Sequence, residues 1–167
     1  KCQDYYATSS SQRRLYLLQQ MDLESITYNM PCIFSIPDGL IKSDIELIFR
    51  KLICRHENLR TRFELVDGLP VQIIENEICF NVEEFQIKRE ESDQLQKKFI
   101  KPFELNITPL FRVGYVRIEG GNEILLIDMH HIISDGVSHT ILEKEFQQLY
   151  SGEELPELKF QYKDYSE

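Results

Sequence analysis

The stretch Met129-His130-His131-Ile132-Ile133-Ser134-Asp135-Gly136-Val137 gathers most of the chain's reactive side chains into a single short segment. Paired imidazoles beside a hydroxyl and a carboxylate can move a proton or hold a cation, and a glycine lets a substrate approach the backbone closely. The segment therefore reads as a catalytic site. Each residue also has a structural reading. A lone histidine is ordinarily structural, Asp135 is a natural helix cap, and Gly136 can be a packing glycine. Strand alternation sends His130 and His131 to opposite faces, so at most one of them points into a given cleft.

Other chemistries fit less well. His131, Asp135 and His139 are spaced i, i+4, i+8, as metal ligands on a helix would be. However, His131 precedes the expected cap, where helical register fails, and neither H-E-x-x-H nor C-x-x-C is present; His56-Glu57 lacks the second histidine. A serine hydrolase would need a G-x-S-x-G elbow, and a nucleotide site a phosphate-cradling glycine loop; neither occurs.

These residues must be held by their neighbours. Ile124-Leu125-Leu126-Ile127 is a continuous apolar run, the pattern of a strand buried on both faces. Val137, Ile141, Leu142, Phe146 and Leu149 recur at helical spacing, and Ser151-Gly152 supplies a stop. The histidines thus sit where a central strand ends. Ser134 or Asp135 caps the next helix, whose unpaired N–H groups carry partial positive charge.

Upstream, Tyr5-Tyr6-Ala7-Thr8 predicts a short strand, and Ser9-Ser10-Ser11 caps a helix with Leu15, Leu18 and Met21 on one face. Residues 29–36 read as a strand ended by the Pro37-Asp38-Gly39 turn, with Pro31 near its start. Ser43 or Asp44 caps a second helix carrying Ile45, Ile48, Phe49 and Leu52. After Arg55 the period changes from 3.6 to 2: Leu59, Thr61, Phe63 and Leu65 share one strand face, and Arg60, Arg62 and Glu64 the other. Asp67-Gly68 turns into a strand at Val71-Gln72-Ile73-Ile74, and residues 78–85 predict another, making a meander. Ser92 or Asp93 begins a third helix that ends at Lys101-Pro102. Residues 111–119 and 122–129 form two strands joined by Gly120-Gly121. Residues 156–167 are polar and look like the start of a linker. The pattern predicts an α/β fold: a two-layer sandwich with a mixed sheet covered by helices.

The 167 residues, 42% hydrophobic and 11% aromatic, suffice for one domain with a sizeable core. A net charge of −9 argues against nucleic acid, which needs Lys and Arg to neutralise phosphates. Arg13-Arg14 and Lys97, Lys98 and Lys101 read as solvated helix faces. Cys2, Cys32, Cys54 and Cys79 show no metal or disulfide spacing and read as reduced, mostly core, residues. The chain opens on Lys1, with no leader and no apolar run of membrane-spanning length, so a cytoplasmic, soluble piece of something larger is expected, with no membrane partner.

His130-His131-Ile132-Ile133-Ser134-Asp135-Gly136 matches the HHxxxDG signature of the condensation domains of nonribosomal peptide synthetases. Ser9-Ser10-Ser11-Gln12-Arg13-Arg14-Leu15-Tyr16-Leu17-Leu18 resembles that family's first motif, S-x-A-Q-x-R-L-W/Y-x-L, with Ser11 in place of the usual alanine. Arg55-His56-Glu57-Asn58-Leu59-Arg60-Thr61-Arg62-Phe63 resembles its second, R-H-E-x-L-R-T-x-F. Phe103-Glu104-Leu105 with Pro109-Leu110-Phe111-Arg112 resembles a further element.

The resemblance implies half of a chloramphenicol acetyltransferase-like fold, in which two similar halves form a V around a tunnel. The family's domain is more than twice as long, so residues 1–158 correspond to its N-terminal lobe and 159–167 to the start of the inter-lobe linker. The implied reaction is attack of an acceptor α-amine on a donor aminoacyl or peptidyl thioester. Both substrates ride on phosphopantetheine arms of upstream and downstream carrier proteins, beside an adenylation domain, and no cofactor or metal is bound directly. His131 matches the catalytic residue. An imidazole with a pKa of about 6.5 can take a proton from an amine of about 7.7–8 as it adds. Gly136 offers a backbone N–H near the developing oxyanion. His130 supports the site, and Asp135 pairs with an arginine that the motif places at Arg60, Arg62 being the other candidate. Tyr28-Asn29-Met30-Pro31 and the first motif resemble the subtype joining two L-residues, with a lipo-initiating subtype second. An epimerisation domain and a non-catalytic docking platform for carrier proteins are the alternatives. With one tunnel wall, the fragment alone is expected to be inactive.

Overall fold

A computed structural model describes residues 5–37 and 39–166. Its core is a four-stranded mixed sheet in which β7 (Glu123–His130) lies between β2 (Asn29–Ser35) and β6 (Phe111–Ile118), antiparallel to both. β5 (Glu83–Ile87) adds parallel to the outer edge of β6. A parallel neighbour needs a crossover, and α3 (Ser92–Phe99) supplies it. β2 is the opposite edge, which is why Pro31, with no N–H to donate, is tolerated there.

Helices α2 (Lys42–Arg55) and α4 (Gly136–Tyr150) cover one face of this sheet, where Phe49, Leu52, Leu142 and Phe146 meet Phe111, Val113, Leu125 and Ile127. On the other face Leu95 and Phe99 of α3 pack on Val116 and Leu126. Gly114 permits that approach: a Cβ there would lie 3.0 Å from the Phe99 ring and 3.1 Å from that of Phe85. β7 is thus buried on both faces, as its apolar run predicts. Among the described residues no helix is long and apolar enough to cross a membrane.

The expected mixed sheet covered by helices is present, and the structure adds a second sheet to it. β1 (Tyr6–Ala7), β4 (Leu69–Ile74) and β3 (Thr61–Val66) form a separate antiparallel sheet. Asp67 and Gly68, both with positive φ, make the tight turn between β3 and β4. The chain then leaves this sheet, so the expected meander fails: residues 76–82 are irregular, with Phe80 and Val82 anchoring them in the core, and the strand begins only at Glu83. Arg60 ends a 3-10 turn (Glu57–Arg60) rather than lying in a strand, and Leu65 is 55% exposed because β3 runs beyond the core.

Three further expectations change. α2 has Ile41 at its N-cap and no side-chain cap, so neither Ser43 nor Asp44 serves. Cys54 and Cys79 are exposed and Cys32 half-buried, all free; Cys2 lies outside the described residues. In α1 (Ser10–Met21), capped by Ser9 and Gln12 in a reciprocal box, the buried edge is Gln12, Tyr16 and Gln19, not Leu15, Leu18 and Met21.

The polar C-terminal segment packs back on the body. Arg55 donates to the Pro156 carbonyl, Gln161 to that of Arg55, Lys163 sits 2.8 Å from Glu57, and Tyr162 of α5 (Tyr162–Ser166) bonds Ser9.

Candidate active site

The end of β7 is pinned from both sides. His130 N–H donates to the Leu110 carbonyl at 3.0 Å and His131 N–H to that of Tyr28 at 2.8 Å. The chain then turns tightly, with the Ile133 N–H and Ser134 hydroxyl both reaching back to the His130 carbonyl. As alternation predicts, the two imidazoles part: His130 is fully buried and His131 is exposed.

Their protonation follows from their partners. His131 Nδ1 lies 2.6 Å from the Ser134 carbonyl, which can only accept, so Nδ1 carries a proton and, in the neutral ring, Nε2 holds the lone pair. His130 is the opposite tautomer: its Nδ1 receives the Ile132 N–H at 3.0 Å, leaving the proton on Nε2, 3.3 Å from Gln19 Oε1. Burial, aided by the neighbouring His131, pushes the His130 pKa down to about 4, so it is a neutral structural ring. His131 opens onto a surface cleft with Gln12, Asn58, Asp135, Ser138 and Tyr162.

Asp135 caps α4, its Oδ1 accepting from the Ser138 N–H and hydroxyl, both at 2.7 Å. Those bonds hold its carboxyl below the usual range. The expected pairing with Arg60 is overturned: Arg60 donates to the Glu75 carbonyl and faces Glu57, and Arg62 is held by Glu64 and Glu75. Arg60 sits in the 3-10 turn, and Asp135 is turned outward to serve its own helix. Gly136 is the first residue of α4, and a Cβ there would meet no atom within 4 Å, so the packing reading of this glycine fails. Its N–H is one of the four that begin a helix without an internal acceptor. Among the described residues no group of three His, Cys, Asp or Glu is placed to hold a metal ion.

Behind His130 lies a buried ion pair that the sequence reading did not single out. Asp128 is fully buried, accepts from Arg112 at 3.0 Å and from the Asn29 amide at 2.7 Å, and burial still pushes its carboxyl up to about 6. Arg112 also donates to the carbonyls of Phe99, Lys101 and Pro102 and stacks 3.9 Å over Phe103, whose edge meets the His130 ring. A lone carboxylate after four apolar residues was the available signal. Gln12 stands in the first motif, whereas Gln19 had no signal as visible, since a helical leucine stripe lies beside it.

The sequence matches the family model described as the condensation domain over residues 2–167. It is 46% identical over 164 residues to gramicidin S synthase 2 of Brevibacillus brevis, covering 98% of this chain and 4% of that protein. In structure it resembles a variant of the starter condensation domain of rhizomide synthetase, with a TM-score of 0.83 and 19% identity over 98% of this chain and 41% of that one. It also resembles the X-domain in its complex with OxyB from teicoplanin biosynthesis, with a TM-score of 0.84 and 19% identity over 99% of this chain and 38% of that one. The chain therefore spans a small part of the synthetase it matches and about two-fifths of each solved chain. A family match running through nearly every residue, together with a site built on His130, His131, Asp135 and Gly136, means that this chain belongs to the condensation-domain family of nonribosomal peptide synthetases.

Proposed function

We propose that the chain is the N-terminal lobe of a peptide-bond-forming condensation domain, joining a donor aminoacyl or peptidyl thioester to the α-amine of an acceptor aminoacyl thioester. The observation that carries this reading is the contact of His131 Nδ1 with the Ser134 carbonyl: it ties up Nδ1–H, so that in the neutral ring Nε2 is the nitrogen left to an incoming amine. As the amine nitrogen bonds to the thioester carbon, it passes a proton to Nε2. The tetrahedral oxyanion lies at the start of α4, where the Gly136 N–H and the positive helix end stabilise it. Collapse expels the carrier thiolate, which takes the proton back from His131 and completes the amide.

In this reading His130 and Asp135 hold the turn and the helix start, and Arg60 secures the neighbouring 3-10 turn rather than Asp135. Carrier proteins upstream and downstream bring the substrates on phosphopantetheine, so the lobe binds no cofactor of its own. Residues 159–167 lead toward a C-terminal lobe that supplies the second wall, an adenylation domain stands beside it, and the subtype is the one joining two L-residues.

The test uses the parent synthetase with loaded carrier proteins and detects product by mass spectrometry. His131→Ala is expected to cost on the order of 10²-fold or more in rate. Near-normal turnover would remove His131 from the chemistry. A donor returned with inverted configuration and no amide would point to the epimerisation reading. The docking-platform reading draws on the X-domain's likeness, since that domain is found in a complex; it predicts carrier binding with no amide at all.

A further inference from the structure

Helix α1 buries the wrong edge for a helix that only fills a core. Gln12 and Gln19 are 2% and 1% exposed, whereas Leu17 and Met21 are 54% and 82% exposed. Burying an amide is unfavourable unless its hydrogen bonds are remade, and here they are remade around a single object. The Gln19 Nε2 lies 3.5, 3.4 and 3.2 Å from the carbonyls of Asp22, Leu23 and Ser25. Carbonyls only accept, so that end of the amide is settled and Oε1 faces the His130 Nε2–H.

Gln12 is fixed in the same manner. Its Oε1 accepts from the Ser9 N–H at 3.0 Å, and its Nε2 donates to Gln72 Oε1 at 3.0 Å and to the Ile132 carbonyl at 3.4 Å. Gln72, 1% exposed, is oriented in turn by donating to the Ala7 carbonyl and the Ser166 hydroxyl. Seven residues apart on one helix face, Gln12 and Gln19 therefore hold the residues on either side of His131: the carbonyl of Ile132 and the ring of His130.

We propose that Gln12 and Gln19 are positioning residues for His131, with α1 acting as a two-point clamp that sets the direction in which the His131 ring presents Nε2. This rests on the reading of His131 as the acid–base group. His130 transmits the hold from Gln19, because its Nδ1 receives the Ile132 N–H and so orients the peptide that follows His131. Both glutamines are buried, and each acts through the turn.

The test is a set of double-mutant cycles in the parent synthetase. Gln12→Met and Gln19→Met are each measured in the native and His131→Ala backgrounds, with the thermal midpoint of every variant. In the native background each should lower kcat by about 10-fold, the scale of losing part of a reactant's orientation, with KM for the acceptor-loaded carrier protein moving less than about twofold. In the His131→Ala background the further fall should be under about twofold, because nothing is left to position. Equal falls in both backgrounds, or an unchanged kcat in the native one, would overturn the clamp while leaving His131 in place. If His131→Ala itself keeps its turnover, the acid–base reading fails instead, and nitrogen NMR of the His131 ring decides the clamp. The native ring should show one tautomer with Nε2 unprotonated and the methionine variants a mixture; identical spectra overturn it. Where a methionine variant does not fold, Gln12→Asn or Gln19→Asn keeps the amide, withdraws its reach by one methylene, and makes the same comparison.

Discussion

The side chains of the site divide into those that face the cleft and those that hold them there, and Gly136 tests the division most directly. No described residue crowds it, so Gly136→Ala should not lower the melting temperature, and helix propensity favours alanine by up to about 1 kcal/mol. If the open space admits a thioester oxygen, turnover in the parent synthetase should still fall by about 10-fold or more. Unchanged turnover would mean that substrate does not approach this backbone.

The pair Asp128 and His130, on one face of β7, makes a second claim at this scale. Asp128 is raised from 3.8 to about 6, so the fold holds its proton where the unfolded chain has released it; its contribution to stability declines as pH rises from about 4 to 6. His130 is lowered from 6.5 to about 4, so its contribution declines as pH falls from 6.5 to 4. The two oppose each other over nearly the same window. Asp128→Asn should therefore unmask the histidine: the urea midpoint should rise between pH 4 and 6.5 more steeply than in the native chain. A slope no steeper than native would show that Asp128 does not hold its proton as its burial requires.

Among the elements, α4 carries the site's electrostatics, and its cap is local. Because among the described residues Asp135 bonds only Ser138 and faces no arginine, Asp135→Ala should cost about 0.5–2 kcal/mol, the loss of a helix cap. Breaking a buried ion pair would cost about 3–5 kcal/mol. Urea unfolding of the 167-residue chain separates the two, and a loss above about 3 kcal/mol would restore a charged partner for Asp135.

For the whole molecule, if the chain is the single lobe proposed above, the question is how much reaction that lobe can support. The cleft at His131 is open on the surface, and Val137 and Ile141, beside the start of α4, are 67% and 45% exposed. Catalysis by juxtaposing two thioester-bound reactants draws roughly 7–11 kcal/mol from orientation, most of which a one-sided site forfeits. The fragment, incubated with donor- and acceptor-loaded carrier proteins, should give no dipeptide by mass spectrometry while the full domain does. Product at a comparable rate would make the second lobe dispensable. The exposed apolar side chains beside the cleft, Val137 and Ile141, should also favour self-association, visible as a concentration-dependent mass in light scattering.

The sequence by itself determined the elements whose signals are local. The apolar run of β7, the Gly120-Gly121 hairpin, the Asp67-Gly68 turn and the Asp135 cap all act within a few residues, and HHxxxDG carried the family. What only the tertiary structure decided is partnership. A strand does not record which sheet it joins, so β5 left the expected meander for a parallel place beside β6. A charge does not record its counter-ion, so Arg60 and Asp135, each well suited to an ion pair, found other partners. An amphipathic pattern ranks hydrophobicity but not hydrogen bonding, so α1 turned its glutamines inward: the His130 ring and the Ile132 carbonyl, more than a hundred residues further along the chain, needed polar groups that no leucine offers.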